Sequence, residues 1–286
     1  MAGGTAGETT APKIVETVAG LRAEVAGWRA AGLKVALVPT MGALHAGHMA
    51  LVRRAREVAD KVVVSIFVNP TQFGPTEDFS RYPRTFETDV ARLAGGVDVV
   101  YAPAADEMYA EGFATKIQMS GPAEGLETDF RPHFFSGVAI VVTKLFTQCR
   151  PDYATFGEKD YQQLKVVTRL SRDLDLGVEI VPVPTTREAD GLALSSRNAY
   201  LSPEERQVAP VIHRALSEAA DAIRAGTAPE SAAAAAADAI AAKGLKVDYV
   251  AARHAESLAA PQPGDPIRLL AAAWLGKTRL IDNLGA

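Results

Sequence analysis

The sequence predicts an α/β fold in which a doubly wound parallel sheet is followed by a smaller α+β unit. Residues 34–61 begin with an apolar run at 35–38, pass through a Pro/Thr/Gly turn and continue with helical spacing, which indicates strand, loop and helix. Residues 62–68 form an almost unbroken apolar run, which is typical of a parallel strand covered on both faces. Strand and helix patterns alternate up to about residue 185, and this alternation favours a Rossmann-like domain at 1–185.

The other elements of this domain follow from spacing and turn signals. The N-terminus up to about Lys13 is small and polar, and we expect it to be frayed. A helix is predicted where apolar residues recur every three to four positions, and a strand where a short apolar run is bounded by turn residues. The predicted elements are helix 14–31, helix 85–93, strand 97–101, an edge strand or hairpin at 115–119, buried helix 137–148, strand 153–156, helix 160–173 and strand 178–183.

The pattern changes after Pro184, and residues 186–286 are predicted to form a small α+β domain. Residues 187–200 are too polar for a core and indicate a functional loop between the domains. Residues 202–205 form a capping box that opens a helix to about residue 224, in which Pro210 predicts a kink. The remaining elements are a helix in the alanine-rich stretch 230–243 and strands at 247–251, 267–274 and 278–282.

The composition excludes several classes of function. The 286 residues carry a formal charge of -4, which provides no basic field for a nucleic-acid backbone. No apolar run approaches the length of a membrane-spanning helix, and the first residues lack an apolar signal-peptide core. Cys149 is the only cysteine, so the sequence has no disulfide framework or thiolate metal cluster, and a buried thiol is predicted. We therefore expect a cytoplasmic protein that binds neither nucleic acid nor membranes.

The loop after the first buried strand carries the strongest chemical signal, His45-Ala46-Gly47-His48. Two imidazoles three residues apart at the first turn of a helix lie on the same side, and the free N–H groups and helix dipole favour phosphate there. Gly47 has no Cβ, which lets a phosphate chain approach the backbone. A metal site or a surface pair has the same spacing, but the flanking strand and helix favour nucleotide binding.

Three further polar clusters stand at predicted strand ends or in the linking loop. They are residues 69–72, residues 157–160 with Gln163, and residues 194–198. Each cluster alone would be ordinary surface or turn. Together they meet at the carboxyl ends of one parallel sheet, where open α/β sheets bind their ligands.

The side chains in these clusters suit transfer at the α-phosphate of ATP. That reaction needs cations and hydrogen-bond donors around a crowded, negatively charged phosphorus. Positive charge can come from four side chains and neutral donors from two hydroxyls, namely His45, His48, Lys159, Arg197, Ser195 and Ser196.

Other signatures argue against competing chemistries. No G-x-G-x-x-G follows the first strand, which removes the main support for a dinucleotide site. No G-x-S-x-G elbow is present for a serine hydrolase. Gly276-Lys277-Thr278 mimics the end of a P-loop, but Ala271 stands where that motif requires glycine.

Five motifs together resemble one known family: PTMGALHAGH, NPTQFG, YPRT, FGEKDYQQL and DGLALSSRN. In this order they are similar to the pantoate-β-alanine ligase (pantothenate synthetase) family of coenzyme A biosynthesis, over about residues 34–283. The H-x-G-H and S-S-R signatures also resemble the wider nucleotidyltransferase and class I aminoacyl-tRNA synthetase group. The resemblance implies two steps. The carboxylate of (R)-pantoate attacks the α-phosphate of Mg-ATP to give pantoyl adenylate and pyrophosphate, and the amine of β-alanine then displaces AMP.

The resemblance also implies roles for individual residues. The catalytic set would hold the phosphates, with His48 as proton donor: His45, His48, Lys159, Ser195, Ser196 and Arg197. The ATP site would comprise Met41, Gly42, Ala43, Leu44, His45, Ala46, Gly47, His48, Gly157, Glu158, Lys159, Asp160, Thr186, Leu194, Ser195, Ser196 and Arg197, with Gly157 and Asp160 at the ribose and Thr186 beside adenine. The substrates pantoate and β-alanine would be bound by Gln72, Gln163, Asn69 and Tyr82. A neutral amide can orient a carboxylate without the charged clamp of an arginine, so the oxygen stays nucleophilic.

Cofactor and assembly are likewise implied by the resemblance. Magnesium would enter with ATP and be held mostly by phosphate oxygens and waters, with Asp89 as a candidate for an outer contact. The family implies a homodimer and a mobile C-terminal domain that closes over the cleft.

The sequence departs from the family pattern at two places. The family's R-P-x-H-F-x-G-V has its histidine one position later than His133, and Phe134 stands where that histidine is expected. Leu194 replaces a methionine, which conserves volume. His213 and His254 match no motif, and we expect them to be structural or surface residues.

Two other functions are compatible with a nucleotide site. One is a nucleotidyltransferase that keeps its adenylylated product, which the glutamine pair Gln72 and Gln163 disfavours because it suits a small acid. The other is a non-catalytic nucleotide-binding module, which the presence of Lys159, both serines and Arg197 disfavours.

Overall fold

The computed structural model describes residues 10–75 and 77–286. A six-stranded, all-parallel sheet has the strand order β1-β4-β3-β2-β5-β6, and a three-stranded antiparallel sheet has the order β7-β8-β9. The strands are β1 Lys13–Val15, β2 Val35–Thr40, β3 Lys61–Ile66, β4 Val99–Tyr101, β5 Tyr153–Gly157, β6 Glu179–Val183, β7 Lys246–His254, β8 Ile267–Leu275 and β9 Thr278–Gly285. The predicted fold class is therefore confirmed.

Helices cover both faces of the large sheet and one face of the small one. They are α1 Val18–Ala30, α2 Ala46–Val58, α3 Phe86–Leu93, α4 Ala105–Met108, α5 Glu127–Phe130, α6 Phe134–Cys149, α7 Tyr161–Asp173, α8 Pro203–Val208, α9 Val211–Arg224 and α10 Pro229–Ala241. Within residues 10–75 and 77–286, no helix is long and apolar enough to cross a membrane.

Strand β2 lies at the centre of the large sheet because its residues are apolar on both faces. Val35, Ala36, Leu37 and Val38 are completely buried, as the unbroken apolar run predicts. The strand pairs with β3 on one side and with β5 on the other. The strand order reverses between β2 and β5, which makes the carboxyl ends of these two strands the switch point where such sheets bind ligands.

Two sequence predictions about the edge of this sheet are wrong. Helix 14–31 begins only at Val18, because Ile14 and Val15 pair with β4 as a short edge strand and the Thr17 side chain caps the helix by accepting from the Gly20 N–H. Residues 115–119 form no strand; Ile117 and Met119 pack against the core instead of pairing with a neighbour. The predicted fraying of the first residues lies largely outside the described part, and Lys13 itself belongs to β1.

The C-terminal elements agree closely with prediction. The Ser202 and Glu205 capping box is present, and the predicted helix is interrupted at Pro210, so that α8 ends at Val208 and α9 begins at Val211. Helices α9 and α10 pack on the small sheet through Leu216, Ile240 and Leu269. The two sheets lie on either side of the predicted boundary at residues 185–186, and the boundary itself stays a prediction.

Cys149 is fully buried at the end of α6, as predicted. Burial raises the pKa of its thiol to about 12, which keeps the sulfur protonated and unreactive.

Candidate active site

A cavity of about 1160 Å³ opens at the switch point, between the large sheet and the C-terminal elements. The loops after β2 and β5, the linker after β6 and strand β9 all contribute to its walls. Its lining includes most of the residues predicted from sequence: Met41, His45, Gly47, His48, Asn69, Gln72, Tyr82, Gly157, Lys159, Asp160, Gln163, Thr186, Leu194, Ser195, Ser196 and Arg197. Tertiary folding therefore brings together segments that are separated by more than a hundred positions.

The loop after β2 is held by Asp89 from α3. Its carboxylate accepts hydrogen bonds from the N–H groups of Ala43 at 2.9 Å and Leu44 at 2.8 Å, and from the hydroxyl of Thr85 at 3.0 Å. Gly42 adopts φ +82°, and a Cβ there would lie 3.2 Å from an Asp89 oxygen. Asp89 is 1% exposed and both of its carboxylate oxygens accept hydrogen bonds, so it anchors this loop, and its outer contact with magnesium stays a prediction.

His45 and His48 form the start of α2. His45 is the N-cap, its Nδ1 accepts from the Gly47 N–H at 3.1 Å, and His48 Nδ1 accepts from the His45 N–H at 3.2 Å. The two rings have centroids 4.1 Å apart, which confirms that they share one side. Because each Nδ1 is an acceptor, each neutral ring carries its proton on Nε2. Gly47 is required for a reason that spacing alone did not reveal, since a Cβ would lie 2.9 Å from the His45 ring.

Both imidazoles are neutral in this site. Burial lowers the pKa of His48 to about 3, with further contributions from His45 and Lys159. Burial also lowers the pKa of His45 to about 4, and the nearby Lys159 charge adds to that effect. The sequence analysis counted both histidines as possible sources of positive charge; with these pKa values the charge at neutral pH comes from Lys159 and Arg197, and the rings offer neutral N–H donors.

Lys159 lies in a 3₁₀ turn, Glu158–Asp160, between β5 and α7. Its side chain is mostly buried, and its ammonium lies 3.8 Å from the Asp160 carboxylate. The loop that contains Ser195 and Ser196, here called the serine loop, belongs to the linker after β6 and lines the same cavity as Lys159. Ser195 caps the 3₁₀ helix Ser196–Tyr200 by accepting from the Arg197 N–H at 3.3 Å, and the Ser196 hydroxyl donates to the Ala43 carbonyl at 3.2 Å. The serine loop thus meets the histidine loop directly.

Arg197 has a partner that the motifs did not predict. Its guanidinium binds Asp78 through two hydrogen bonds of 3.1 and 3.0 Å, and lies 5.8 Å from the Tyr82 ring. Asp78 lies in a polar loop 119 positions earlier, so the sequence carried no signal that would pair it with Arg197. Tyr82 is 6% exposed and lines the cavity beside this pair.

The three amide side chains that were predicted to bind the acid have different surroundings. Asn69 is held by several hydrogen bonds, whereas Gln72 and Gln163 have fewer contacts and line the cavity. Asn69 is 1% exposed, donates to Gly137 O and Gln72 Oε1 at 3.1 Å each, and accepts from the Tyr109 hydroxyl at 2.8 Å. Its amide donates to the Gln72 side chain and so holds it in place, and Asn69 also lines the cavity, so its role in substrate binding stays a prediction. The Gln72 amide donates to the Met41 sulfur at 3.0 Å, a weak bond that a substrate oxygen can replace. Gln163 also faces the cavity.

The wall formed by β9 contains residues that sequence reasoning missed. Arg187 of the linker binds Asp282 at 2.7 and 2.9 Å, and His213 Nδ1 lies 3.7 Å from the same carboxylate. The amide of Asn283 donates to the Glu158 carbonyl at 2.8 Å and the Lys159 carbonyl at 2.9 Å. No spacing pattern connects these positions, because they belong to elements that meet only in the folded chain.

The other histidines have structural surroundings, as far as the described residues show. His133 Nε2 lies 3.4 Å from the Glu77 carboxylate, which also binds Arg131, so the departure at this motif falls in a loop contact. His254 Nδ1 accepts from the N–H groups of Glu256 and Ser257 at the turn after β7. His213 fits the expectation of a structural residue through its contact with Asp282.

Comparisons with known proteins agree with this geometry over nearly the whole chain. The family model described as pantoate-beta-alanine ligase matches residues 13–285. The chain is 58% identical to pantothenate synthetase 2 of Bradyrhizobium diazoefficiens over 277 residues, covering 96% of this chain and 98% of that protein. It is also 58% identical to the pantothenate synthetase of Rhodopseudomonas palustris over 278 residues, with the same coverage.

Solved structures give the same result. The pantothenate synthetase of Thermus thermophilus aligns with a TM-score of 0.87 at 49% identity, covering 95% of this chain and 98% of that one. The pantoate-beta-alanine ligase of Francisella tularensis, described as a complex with beta-gamma ATP and beta-alanine, aligns with a TM-score of 0.82 at 33% identity, covering 96% and 98%. With these matches spanning both sheets and the cavity between them, the chain belongs to the pantoate-β-alanine ligase family.

Proposed function

We propose that this protein condenses (R)-pantoate with β-alanine to pantothenate in two ATP-dependent steps. The observation that carries the proposal is the convergence of Lys159, Arg197, the histidine pair and the glutamines Gln72 and Gln163 on one cavity. The first group suits a triphosphate, and the second suits a small acid beside it. The related enzyme from Francisella tularensis, described with beta-gamma ATP and beta-alanine, supports the same assignment.

In the first step a pantoate carboxylate oxygen attacks the α-phosphorus, the bond to the bridging oxygen breaks, and pyrophosphate leaves with the electron pair. Negative charge grows on the non-bridging oxygens and on pyrophosphate during this displacement. Lys159 neutralises that charge, and Ser195 and Ser196 add hydroxyl donors, so the protein contributes mainly position and electrostatics.

The histidines act as neutral donors in this proposal. Each Nε2–H can donate to a phosphate oxygen without the cost of placing a second and third cation beside Lys159. A role of His48 as proton donor requires its imidazolium form, which the negative charge of the bound triphosphate favours by raising the pKa of the ring.

Gln72 and Gln163 orient the attacking acid. In the second step the amine of β-alanine attacks the acyl carbon of pantoyl adenylate, loses a proton to solvent or to the departing phosphate, and expels AMP. The amides leave the acyl carbon electrophilic because they add no charge next to it.

Magnesium enters this proposal as part of the substrate Mg-ATP. Among the described residues no group of three His, Cys, Asp or Glu side chains is arranged to hold a metal ion, and the Asp89 oxygens are taken by backbone N–H groups. Hard oxygen ligands from the triphosphate and water suit Mg²⁺ without a protein cage.

The test follows pyrophosphate and AMP from purified protein with Mg-ATP and (R)-pantoate, with and without β-alanine. The expected result is AMP release in step with pyrophosphate only when the amine is present. A lasting adenylyl product that never consumes an amine would instead favour a nucleotidyltransferase, and no pyrophosphate with pantoate would overturn the proposal.

We further propose cytoplasmic action, because the reaction consumes ATP, and a homodimeric assembly, because the sequence resembles a family for which a homodimer is implied. Light scattering of the purified protein tests the assembly, with a mass near twice 30.2 kDa expected.

A further inference from the structure

A single buried amide joins strand β9 to the loop that carries Lys159. Asn283 is 3% exposed, and its Nδ2 donates to the carbonyl oxygens of Glu158 at 2.8 Å and Lys159 at 2.9 Å. These carbonyls belong to the 3₁₀ turn between β5 and α7. One side chain of the C-terminal sheet therefore binds two consecutive peptide groups of the phosphate-facing loop.

The amide is locked in the orientation that this contact requires. Its Oδ1 accepts from Arg268 Nε at 2.7 Å and also from Arg268 Nη2, which leaves only the NH₂ group to face the loop. Arg268 in turn lies with its guanidinium 4.0 Å from the Tyr161 ring and binds the Glu158 carboxylate at 3.3 Å. Since an amide reversed by 180° would place oxygen against oxygen, Arg268 fixes which end points at the turn.

The same end of β9 is tied to the linker and to α9. The backbone N–H of Asn283 donates to the Asp282 carboxylate at 2.7 Å, and that carboxylate binds Arg187 and lies beside His213. The position of Asn283 therefore depends on how the C-terminal elements sit on the sheet domain. A shift of Asn283 would change its hydrogen bonds to the carbonyl groups of Glu158 and Lys159.

We propose that Asn283 is a positioning residue for adenylation, which holds the Glu158–Asp160 turn so that the Lys159 ammonium reaches the reacting phosphates. This inference rests on the role proposed above for Lys159. A lysine on a flexible stem contributes to a transition state only when its backbone is placed within a fraction of an ångström, because small displacements of a positioned charge cost large factors in rate. Packing of β9 against this turn thereby completes the site with a residue from the C-terminal elements.

The test uses Asn283→Asp, which keeps the shape and the acceptor for Arg268 but removes both N–H donors to the turn. Gln162→Glu is the matched control: Gln162 is also a buried amide, 4% exposed, and its Nε2 donates to two backbone carbonyls, Pro122 O at 3.1 Å and Gly125 O at 3.2 Å. Both variants lose an amide that braces a loop, but only Asn283 braces the turn with Lys159. Asn283→Ala removes the same donors without adding charge and carries the test if the aspartate variant does not fold.

Pantoate-dependent pyrophosphate release is measured for each variant alone and combined with Lys159→Ala. We expect Asn283→Asp to lower kcat of adenylation on the order of 10-fold or more, with an unchanged KM for β-alanine, while Gln162→Glu lowers Tm but leaves that kcat within about 3-fold. In the Lys159→Ala background, Asn283→Asp should lower the rate by less than about 2-fold, because a residue that acts through Lys159 has nothing left to position.

Four results overturn the inference, and they are distinguishable from one another. Equal fold-losses with and without Lys159 mean that Asn283 does not act through Lys159. If Asn283→Asp has the kcat of the wild type while Lys159→Ala is impaired, only the positioning role of Asn283 is wrong. If Lys159→Ala has the kcat of the wild type, the role proposed for Lys159 is wrong. If the wild-type protein releases no pyrophosphate with pantoate, the proposed function is wrong.

Discussion

At the scale of single residues, the protonation of the histidine pair decides how the site handles charge. His45 and His48 are packed with ring centroids 4.1 Å apart beside Lys159, and burial lowers the pKa of each well below 6.5. Two imidazolium ions there would repel each other and the lysine without bulk water to screen them. A neutral pair avoids that cost and still presents two N–H donors, so the fixed charge stays on Lys159 and Arg197.

The first prediction concerns these donors. His48→Ala and Lys159→Ala should each reduce adenylate formation by on the order of 10² or more, because each removes a group positioned for charge that develops in the transition state. Pyrophosphate release measures the rate, and circular dichroism checks that the fold is kept. Turnover like that of the wild type in either folded variant would remove that residue from the catalytic set.

A second prediction concerns acid stability. His48 binds a proton in the unfolded chain below pH 6.5 but stays neutral in the native protein down to about pH 3. The unfolded state therefore binds more protons in that window, and native stability is retained above pH 6.5 and falls below it by about 1.4 kcal/mol per pH unit for this group. Urea unfolding at pH 7, 6 and 5 should show a shallower loss for His48→Gln than for the wild type. If the free energy of unfolding changed equally with pH in both proteins, His48 would bind protons alike in the native and unfolded states, which would contradict the prediction.

At the scale of elements, the position of the 3₁₀ turn Pro70–Gln72, which carries Gln72, depends on close packing against helix α6. A Cβ on Gly137 would clash with the Thr71 carbonyl oxygen, and Gly137 O accepts from Asn69. The helix and the 3₁₀ turn Pro70–Gln72 are therefore in backbone contact. The sequence predicts the helix from its apolar residues, but the role of its glycine depends on the partner that it meets.

The third prediction tests this contact. Gly137→Ala should destabilise the protein by about 1–3 kcal/mol and weaken the use of pantoate, because the turn that carries Gln72 must shift. Gly27→Ala in α1 is the control: nothing lies within 4 Å of its Cβ position, so it should stabilise by about 0.5–1 kcal/mol. Urea denaturation and the KM for pantoate measure the two effects. A Gly137→Ala protein as stable as the control would show that the two backbones can separate freely.

At the scale of the whole molecule, a buried ionic network joins the small sheet to the sheet domain. Arg279 of β9 donates to both oxygens of Glu127 at 2.8 Å and, through Nε, to Asp248 at 2.8 Å. The Tyr249 hydroxyl donates to Glu127 at 2.8 Å. All three ionised side chains are 11% exposed or less, so each depends on the others to offset the loss of water.

The fourth prediction follows from that dependence. Arg279→Met should destabilise the protein by about 3–5 kcal/mol, because it removes the cation that two buried carboxylates share and leaves Glu127 with the more distant Arg131 at 3.5 Å. Arg54→Ala removes an exposed ion pair with Glu57 and should change stability by less than about 0.5 kcal/mol. Chemical denaturation of both variants gives the comparison, and a loss for Arg279→Met no greater than that of Arg54→Ala would contradict a role for the network in holding the two parts together.

The sequence by itself determined the features that depend on neighbours along the chain. The apolar run of β2, the helix start at His45, the capping box at Ser202 and the break at Pro210 were all predicted because periodicity and capping act within a few residues. The polar clusters that line the cavity were found for the same reason, since each cluster occupies adjacent positions.

The tertiary structure alone decided the features that depend on distant partners. Strand β1 exists because β4 lies beside it, Asp78 faces Arg197 across 119 positions, and Asn283 reaches Lys159 across 124. The neutral state of the histidines likewise results from burial by surrounding elements. Local patterns determine which elements form, whereas pairing, burial and the resulting charges exist only once those elements pack together.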